Sequence, residues 1–299
     1  MISQVKTWSY LIRFISAEDN KTYFGDAILL PGATGLHDID ELLSLKAHII
    51  TGNPLQRGYT IAEASTLVKK LLGPLTRDLV PDIRCIGGNY ASHLRELGVP
   101  FPKIPPMFPK LTNALAGHGD VIEIPSIAQN DQADYEGELV IVMGRDAKNV
   151  SARDALDYVL GYSIANDVSS RKWQMDPELV GTRPPPQMSF SKSFDGFCPV
   201  GPCIVSTKVI PDPHVLGIST KVNKELRQAG STTDLIFNVA QIVEFCSQGS
   251  TIFANSIILT GTPAGVGMAM NPPRWLKPGD EVEVTVEKIG TLRHGIKYA

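Results

Sequence analysis

The chain has 299 residues, 43% hydrophobic and 20% charged, with 28 Lys and Arg against 31 Asp and Glu for a formal net charge of −3. That make-up belongs to an ordinary folded globular protein, large enough for one extended core or a core with a smaller companion. No block of like charge offers nucleic acid or an anionic membrane a footprint, and the longest apolar runs, such as Leu139 to Met143, are strand-length rather than membrane-spanning.

The N-terminal Met1-Ile2-Ser3-Gln4-Val5-Lys6 has no basic segment leading into an apolar stretch, so cytoplasmic residence is the expectation. Short alternating runs from Trp8 to Ile15 and from Tyr23 to Leu30 predict strands. Helices are predicted over Asp38 to His48, with Asp38 as the cap, and over Thr60 to Leu72, where Thr60 and Glu63 match a capping box. Gly73-Pro74 to Pro81-Asp82 then punctuates the chain. Residues 1–75 are therefore expected to form a small N-terminal α+β domain, and residues 76–299 the main body.

Beyond Asp82 the chain breaks into short β-rich segments bounded by Gly and Pro. Strands are predicted at 84–87, 121–124, 137–143, 160–165, 214–222, 256–259, 281–287 and 291–296, and helices at 89–97, 152–158 and 235–246. Strands outnumber helices without βαβ alternation, so the expected fold class is α+β with a mixed β-roll or sandwich core. The Pro-rich stretches 99–109 and 182–186 read as loops. Cys85, Cys198, Cys203 and Cys246 have neither CxxC spacing nor a His cluster, so reduced buried thiols are expected and a structural zinc is not.

The segment Asp134-Tyr135-Glu136-Gly137-Glu138 runs directly into Leu139 to Met143. Strand alternation puts Glu136 and Glu138 on one face with Val140 and Val142. Two carboxylates sharing an apolar face are costly without a cation. A second apolar run, Leu160 to Asn166, ends in Asp167. Three carboxylates at buried strand ends with no His or Cys nearby suit a hard cation, Mg²⁺ or Mn²⁺, with Ca²⁺ also able to fit. In Asn89 to Gly98, a short helix with a glycine end, His93 and Glu96 are three apart and can meet. A carboxylate that orients an imidazole makes it a general base. Gly87-Gly88 before this helix and the Pro-rich stretch after it fit a movable lid.

Taken together, these residues resemble the fumarylacetoacetate hydrolase superfamily. The chain carries Asn89-Tyr90 with His93 and Glu96, Asp134-Tyr135-Glu136-Gly137-Glu138, Ala165 to Arg171 with Gln174, Ser191 to Asp195, Thr260 to Gly267, and Leu276 to Asp280 with Gly290-Thr291-Leu292. The match runs from about residue 82 to the C-terminus, and the first 75 residues are similar to the small N-terminal domain of the larger, two-domain members. The resemblance implies a mixed β-roll, a homodimer, and an octahedral Mg²⁺ or Mn²⁺ on Glu136, Glu138 and Asp167. It also implies His93 and Glu96 as a mobile dyad, Lys192 as the active-site lysine, and Arg171, Gln174 and Thr262 lining the substrate. Arg171 alternatively pairs with Asp167 or Asp195. Gly88, where the superfamily more often has a larger residue, and the 182–186 stretch depart from the pattern.

The implied activity is divalent-metal-dependent chemistry on 1,3-dicarbonyl or 2-keto acids through an enolate, with acylpyruvate-type C–C hydrolysis foremost. Tautomerisation, decarboxylation of an oxaloacetate-like β-keto acid, and a specialised biosynthetic step on a larger substrate are alternatives. A catalytically silent ligand-binding or scaffolding member is the non-enzyme alternative, and its expected mark, a broken dyad or triad, is absent from the sequence.

Overall fold

The computed structural model describes residues 7–37, 44–56, 58–181 and 187–299. Four strands open the chain: β1 (Tyr10–Ser16), β2 (Thr22–Ile28), β3 (Lys46–Thr51) and β4 (Thr60–Leu72). β5 (Ile83–Ile86) leads into α1 (Ala91–Leu97), followed by β6 (Met107–Lys110), β7 (Leu115–Gly117) and β8 (Val121–Ile124). Next come β9 (Ala133–Asp134), β10 (Gly137–Met143), β11 (Val159–Asn166) and β12 (Ser169–Ser170), then the short helices α2 (Arg171–Met175), α3 (Pro177–Val180) and α4 (Met188–Lys192). The chain closes through β13 (Cys198–Ser206), β14 (Gly217–Val222), β15 (Glu225–Ser231), α5 (Val239–Ser247), β16 (Ile257–Leu259), β17 (Glu281–Val286) and β18 (Gly290–Tyr298).

One mixed sheet runs β2-β3-β4-β1-β13-β11-β10-β16-β5-β6, with β7 beside β13. A second runs β15-β14-β17-β18-β8. The strands β10, β11 and β13 of the first sheet pack on β14, β17 and β18 of the second. β10 reads as a β-branched apolar run after Glu138 and is buried at every position, as a strand covered on both faces requires. The mostly-sheet, mixed architecture is the fold class expected from the sequence. β1 pairs with β2, β4 and β13, so the N-terminal strands close on themselves and also extend the main sheet.

One helix expectation fails in this N-terminal part and a second is contradicted at its C-terminal end. Thr60–Leu72 is a strand, paired with β1 and β3. Its buried positions Val68 and Leu71 stand three apart because the register slips where β4 meets Ser16, so a bulge imitates helical spacing. Of the expected helix 38–48, residues 38–43 lie outside the described residues, and Lys46–Thr51 is strand β3. Farther along, 152–158 holds only a single 3-10 turn, Ala155–Tyr158. β13 was hidden by Pro199, Gly201 and Pro202, which normally mark a chain break. The expected helices at 89–97 and 235–246 appear as α1 and α5, and α5 buries Val239, Ile242, Val243 and Cys246 on one face and starts in an Asn238–Gln241 capping box. All four cysteines are buried and unpaired.

Candidate active site

Antiparallel pairing of β10 with β11 sets Gly137 opposite Asn166 and Glu138 opposite Ala165. Glu136 and Asp167, which flank those strands, are joined by a 2.8 Å hydrogen bond from the Asp167 amide to the Glu136 carbonyl. Asn166 tightens the junction by accepting the Glu136 amide through its Oδ1 at 2.8 Å. The residue between the two glutamates has to be glycine. A Cβ on Gly137 would lie 2.2 Å from Thr220 Oγ1 and 2.8 Å from Val284 Cγ1 of the opposing sheet. As a result, carboxylate oxygens of Glu136, Glu138 and Asp167 lie within 4.8 Å of one another, all three residues buried.

Cations surround two of these carboxylates. Lys192 Nζ, at the end of α4, stands 2.8 Å from both Glu136 Oε2 and Asp167 Oδ2 and 2.6 Å from Ser169 Oγ. Arg171 lies 2.7 Å from Glu136 Oε1, 2.8 Å from Asp134 Oδ2 and 2.9 Å from Gln174 Oε1. It therefore pairs with neither Asp167 nor Asp195. Lys110, on β6, binds Asp167 Oδ1 and donates to the Phe197 carbonyl at 2.7 Å. Burial alone would raise the Glu136 carboxyl, but Lys192 and Arg171 outweigh it and hold it down at about 2. Burial alone would lower Lys192, yet Asp167 and Glu136 raise it above the usual lysine range, so it remains charged.

Glu138 is different. Its only hydrogen-bond donor among the described residues is the Gly261 amide, 2.6 Å from Oε2, and it forms no ion pair there. Burial first, then the charges of Asp167 and Glu136, push its carboxyl well above the usual range. Four buried carboxylates, including Asp134, thus face three buried cations, Lys110, Arg171 and Lys192. The all-oxygen donor set, in which Glu138 alone lacks a cationic partner among the described residues, can hold a divalent cation.

His93 and Glu96 do meet on α1, with Nδ1 3.3 Å from Glu96 Oε2. The other Glu96 oxygen accepts the Gly265 amide at 2.9 Å. Gly265 has φ +105°, and a Cβ there would fall 2.1 Å from the Arg227 carbonyl, so only glycine lets this loop reach the dyad. The start of the helix is anchored. Asn89 Nδ2 donates to the carbonyls of Thr260 at 2.8 Å and Phe237 at 3.1 Å, while Gly98 ends the helix in the left-handed conformation.

A pocket of about 450 Å³ collects these groups: His93, Glu136, Glu138, Asp167, Arg171, Gln174, Lys192 and Thr262 all line it. Glu96 stands behind His93. Thr262 faces the pocket with its hydroxyl already committed, donating to the Gly137 carbonyl at 2.9 Å and accepting from Gln228 at 2.7 Å. Lys192 reaches the pocket from the end of α4, while Phe190 on the same helix is exposed.

Sequence reasoning missed Lys110 and left Asp134 without a role. The latter accepts the amides of Gly267 at 2.7 Å and Met268 at 3.1 Å besides holding Arg171. Asp134 was visible in the acidic segment; Lys110 carries no local pattern.

Residues 82–297 match the family model for the fumarylacetoacetate (FAA) hydrolase C-terminal domain. A caffeoylpyruvate hydrolase of Neonothopanus nambi is 40% identical over 296 residues, covering 97% of this chain and 94% of that protein. A mitochondrial oxaloacetate tautomerase of Bos taurus is 42% identical over 222 residues, 74% of this chain and 67% of that one. Among solved structures, a 2-hydroxyhepta-2,4-diene-1,7-dioate isomerase from Mycobacterium marinum superposes with a TM-score of 0.77 at 32% identity, over 97% of this chain and 98% of that chain.

Proposed function

Since the chain belongs to the fumarylacetoacetate hydrolase family, we propose that it is a Mg²⁺- or Mn²⁺-dependent hydrolase of acylpyruvate-type 1,3-dicarbonyl acids. The observation that carries this reading is one pocket in which a carboxylate-held imidazole faces a cluster of three carboxyl groups. The nearly full-length likeness to a caffeoylpyruvate hydrolase supports hydrolysis over the alternatives.

Glu136, Glu138 and Asp167 would hold the ion, whose chemistry is to polarise the 2-keto oxygen and offset enolate charge. Because Nδ1 of His93 faces Glu96, its proton sits there and Nε2 is the basic nitrogen. His93 takes a proton from water at Nε2, and the water oxygen bonds to the distal carbonyl carbon. The C–C bond to the central methylene then breaks, its electron pair passes to that carbon, and reprotonation there yields pyruvate beside the free carboxylate. Glu96, steadied by Gly265, keeps the imidazole aimed. Lys192 and Arg171 stay charged and balance the carboxylates as an anionic substrate arrives, while Gln174 and Thr262 shape the wall.

A second reading, enol–keto tautomerisation of oxaloacetate, uses the same base without attacking water, and the tautomerase relative favours it. The test is to incubate chelator-stripped protein with acetylpyruvate and with oxaloacetate, with and without added Mg²⁺ or Mn²⁺. Metal-dependent pyruvate release from acetylpyruvate is expected. Interconversion of oxaloacetate alone would move the assignment to the tautomerase. Inertness to both without metal uptake would leave a silent binding member.

A further inference from the structure

The pocket has two chemically different ends. Its floor is the charged cluster, whereas much of the remaining lining is carbon: Leu97 at the end of α1, Val99 and Pro100 just beyond it, and Met175 and Met268. Leu97, Val99 and Met175 remain 36%, 44% and 40% exposed, and Phe101 beyond them is 49% exposed. Large apolar side chains left open around a cavity mark a binding surface. Among the described residues the only cationic or imidazole groups lining the pocket are His93, Arg171 and Lys192. Each is already matched, His93 by Glu96 and the other two by the carboxylates of the floor. Among the described residues no unmatched cation lines this wall; Arg95, outside the lining, lies over the Phe101 ring.

We propose that the preferred substrate is an acylpyruvate whose acyl group is a long, uncharged alkyl or aryl chain lying along the Leu97–Val99–Pro100 wall, and that dicarboxylic keto acids are poor substrates. This rests on the hydrolase reading and adds the identity of the acyl group. A terminal carboxylate in the same place would lose its water against Val99 and Met175 without gaining a partner among the described lining residues. A methyl-capped head group would leave most of the 450 Å³ unfilled. Each methylene buried on the wall is expected to raise kcat/KM about fourfold. The reaction itself is unchanged: water adds to the acyl carbonyl carbon, the bond to the methylene breaks, and the acyl group leaves as its carboxylate with pyruvate as the other product.

The experiment compares hydrolysis of acetyl-, butanoyl-, hexanoyl- and cinnamoylpyruvate with that of fumarylpyruvate by the Mg²⁺-loaded protein. The expected result is kcat/KM rising along the alkyl series and fumarylpyruvate falling below hexanoylpyruvate by more than about tenfold. A flat series, or fumarylpyruvate as the best substrate, overturns the wall while leaving the hydrolase reading intact. Failure to cleave any member, acetylpyruvate included, overturns the hydrolase reading. The wall is then judged by calorimetric binding of N-methyl against N-hexyl oxamate, which present a similar head and are not cleaved. Tighter binding of the hexyl compound upholds the apolar wall, and equal binding overturns it. Val99→Lys should cut the ratio of hexanoyl- to fumarylpyruvate turnover at least about tenfold, and an unchanged ratio counts against the assignment.

Discussion

At the scale of single residues the site divides labour between groups that are chemically alike. Glu136 and Glu138 are two positions apart, yet one carboxyl is held at about 2 by Lys192 and Arg171 while burial, with the charges of Asp167 and Glu136, pushes the other up. Under the proposed metal assignment, Glu138 is therefore the carboxylate with most to gain from a divalent ion. Glu138→Gln should abolish stoichiometric Mn²⁺ binding, read by metal analysis after dialysis, and full metal content in that variant would remove Glu138 from the ligand set. His93→Ala tests the opposite wall. It should lower kcat for acetylpyruvate roughly 10²–10⁴-fold, the usual worth of a general base, with Mn²⁺ content unaltered. Joint loss of metal and activity would instead mean that His93 supports the carboxylates rather than the proton transfer. Lys192 holds the floor of the site together. Its three donor hydrogens are matched by Glu136, Asp167 and Ser169, and Asp167 and Glu136 keep it charged.

At the scale of elements, the loop from Thr260 to Gly267 ties the two halves of the site together. Gly261 holds Glu138, Gly265 holds Glu96, and Gly267 holds Asp134. Gly265→Ala would drive a methyl into the Arg227 carbonyl and withdraw the amide from Glu96. A loss of about 10² in kcat is expected from misplacement of the dyad, with little change in metal content or in the far-ultraviolet circular dichroism spectrum. Unimpaired turnover would show that the loop does not aim the base. The loop's dense glycines, the acidic segment and the His93–Glu96 spacing were all legible because each is a pattern local in the chain. So were the β8 and β10 strands, whose bounds match expectation. What escaped was set by pairing across the fold. The Val68–Leu71 interval imitates a helix only because β4 bulges against β1, and β13 keeps Pro199 and Pro202 because buried neighbours on several sides hold it in place. Lys110 reaches Asp167 from 57 positions away along the chain, and nothing near it in sequence signals that.

At the scale of the whole molecule, the two packed sheets meet behind the carboxylates through a polar contact that acid should break. Asn166 gives its oxygen to the Glu136 amide, so its Nδ2 must be the donor toward His294 Nε2, 2.9 Å away on β18. That nitrogen of His294 is therefore unprotonated. Burial above all, with His118 nearby, lowers His294 from 6.5 to about 4, and burial with Arg293 does the same for His118. Between those values the unfolded chain binds protons that the folded chain refuses, so stability rises with pH across the window and falls as acid is added. A shift of this size corresponds to about 3 kcal/mol for each histidine. Protonated His294 would also present a donor to a donor, loosening Asn166 and with it the backbone of Glu136. Urea midpoints of the metal-free protein should fall markedly from about pH 7 to about pH 4.5. His294→Gln, whose amide oxygen can still accept from Asn166 but does not titrate, should flatten part of that fall. An equally steep loss in the variant would assign the acid sensitivity elsewhere and leave the inter-sheet contact as packing alone.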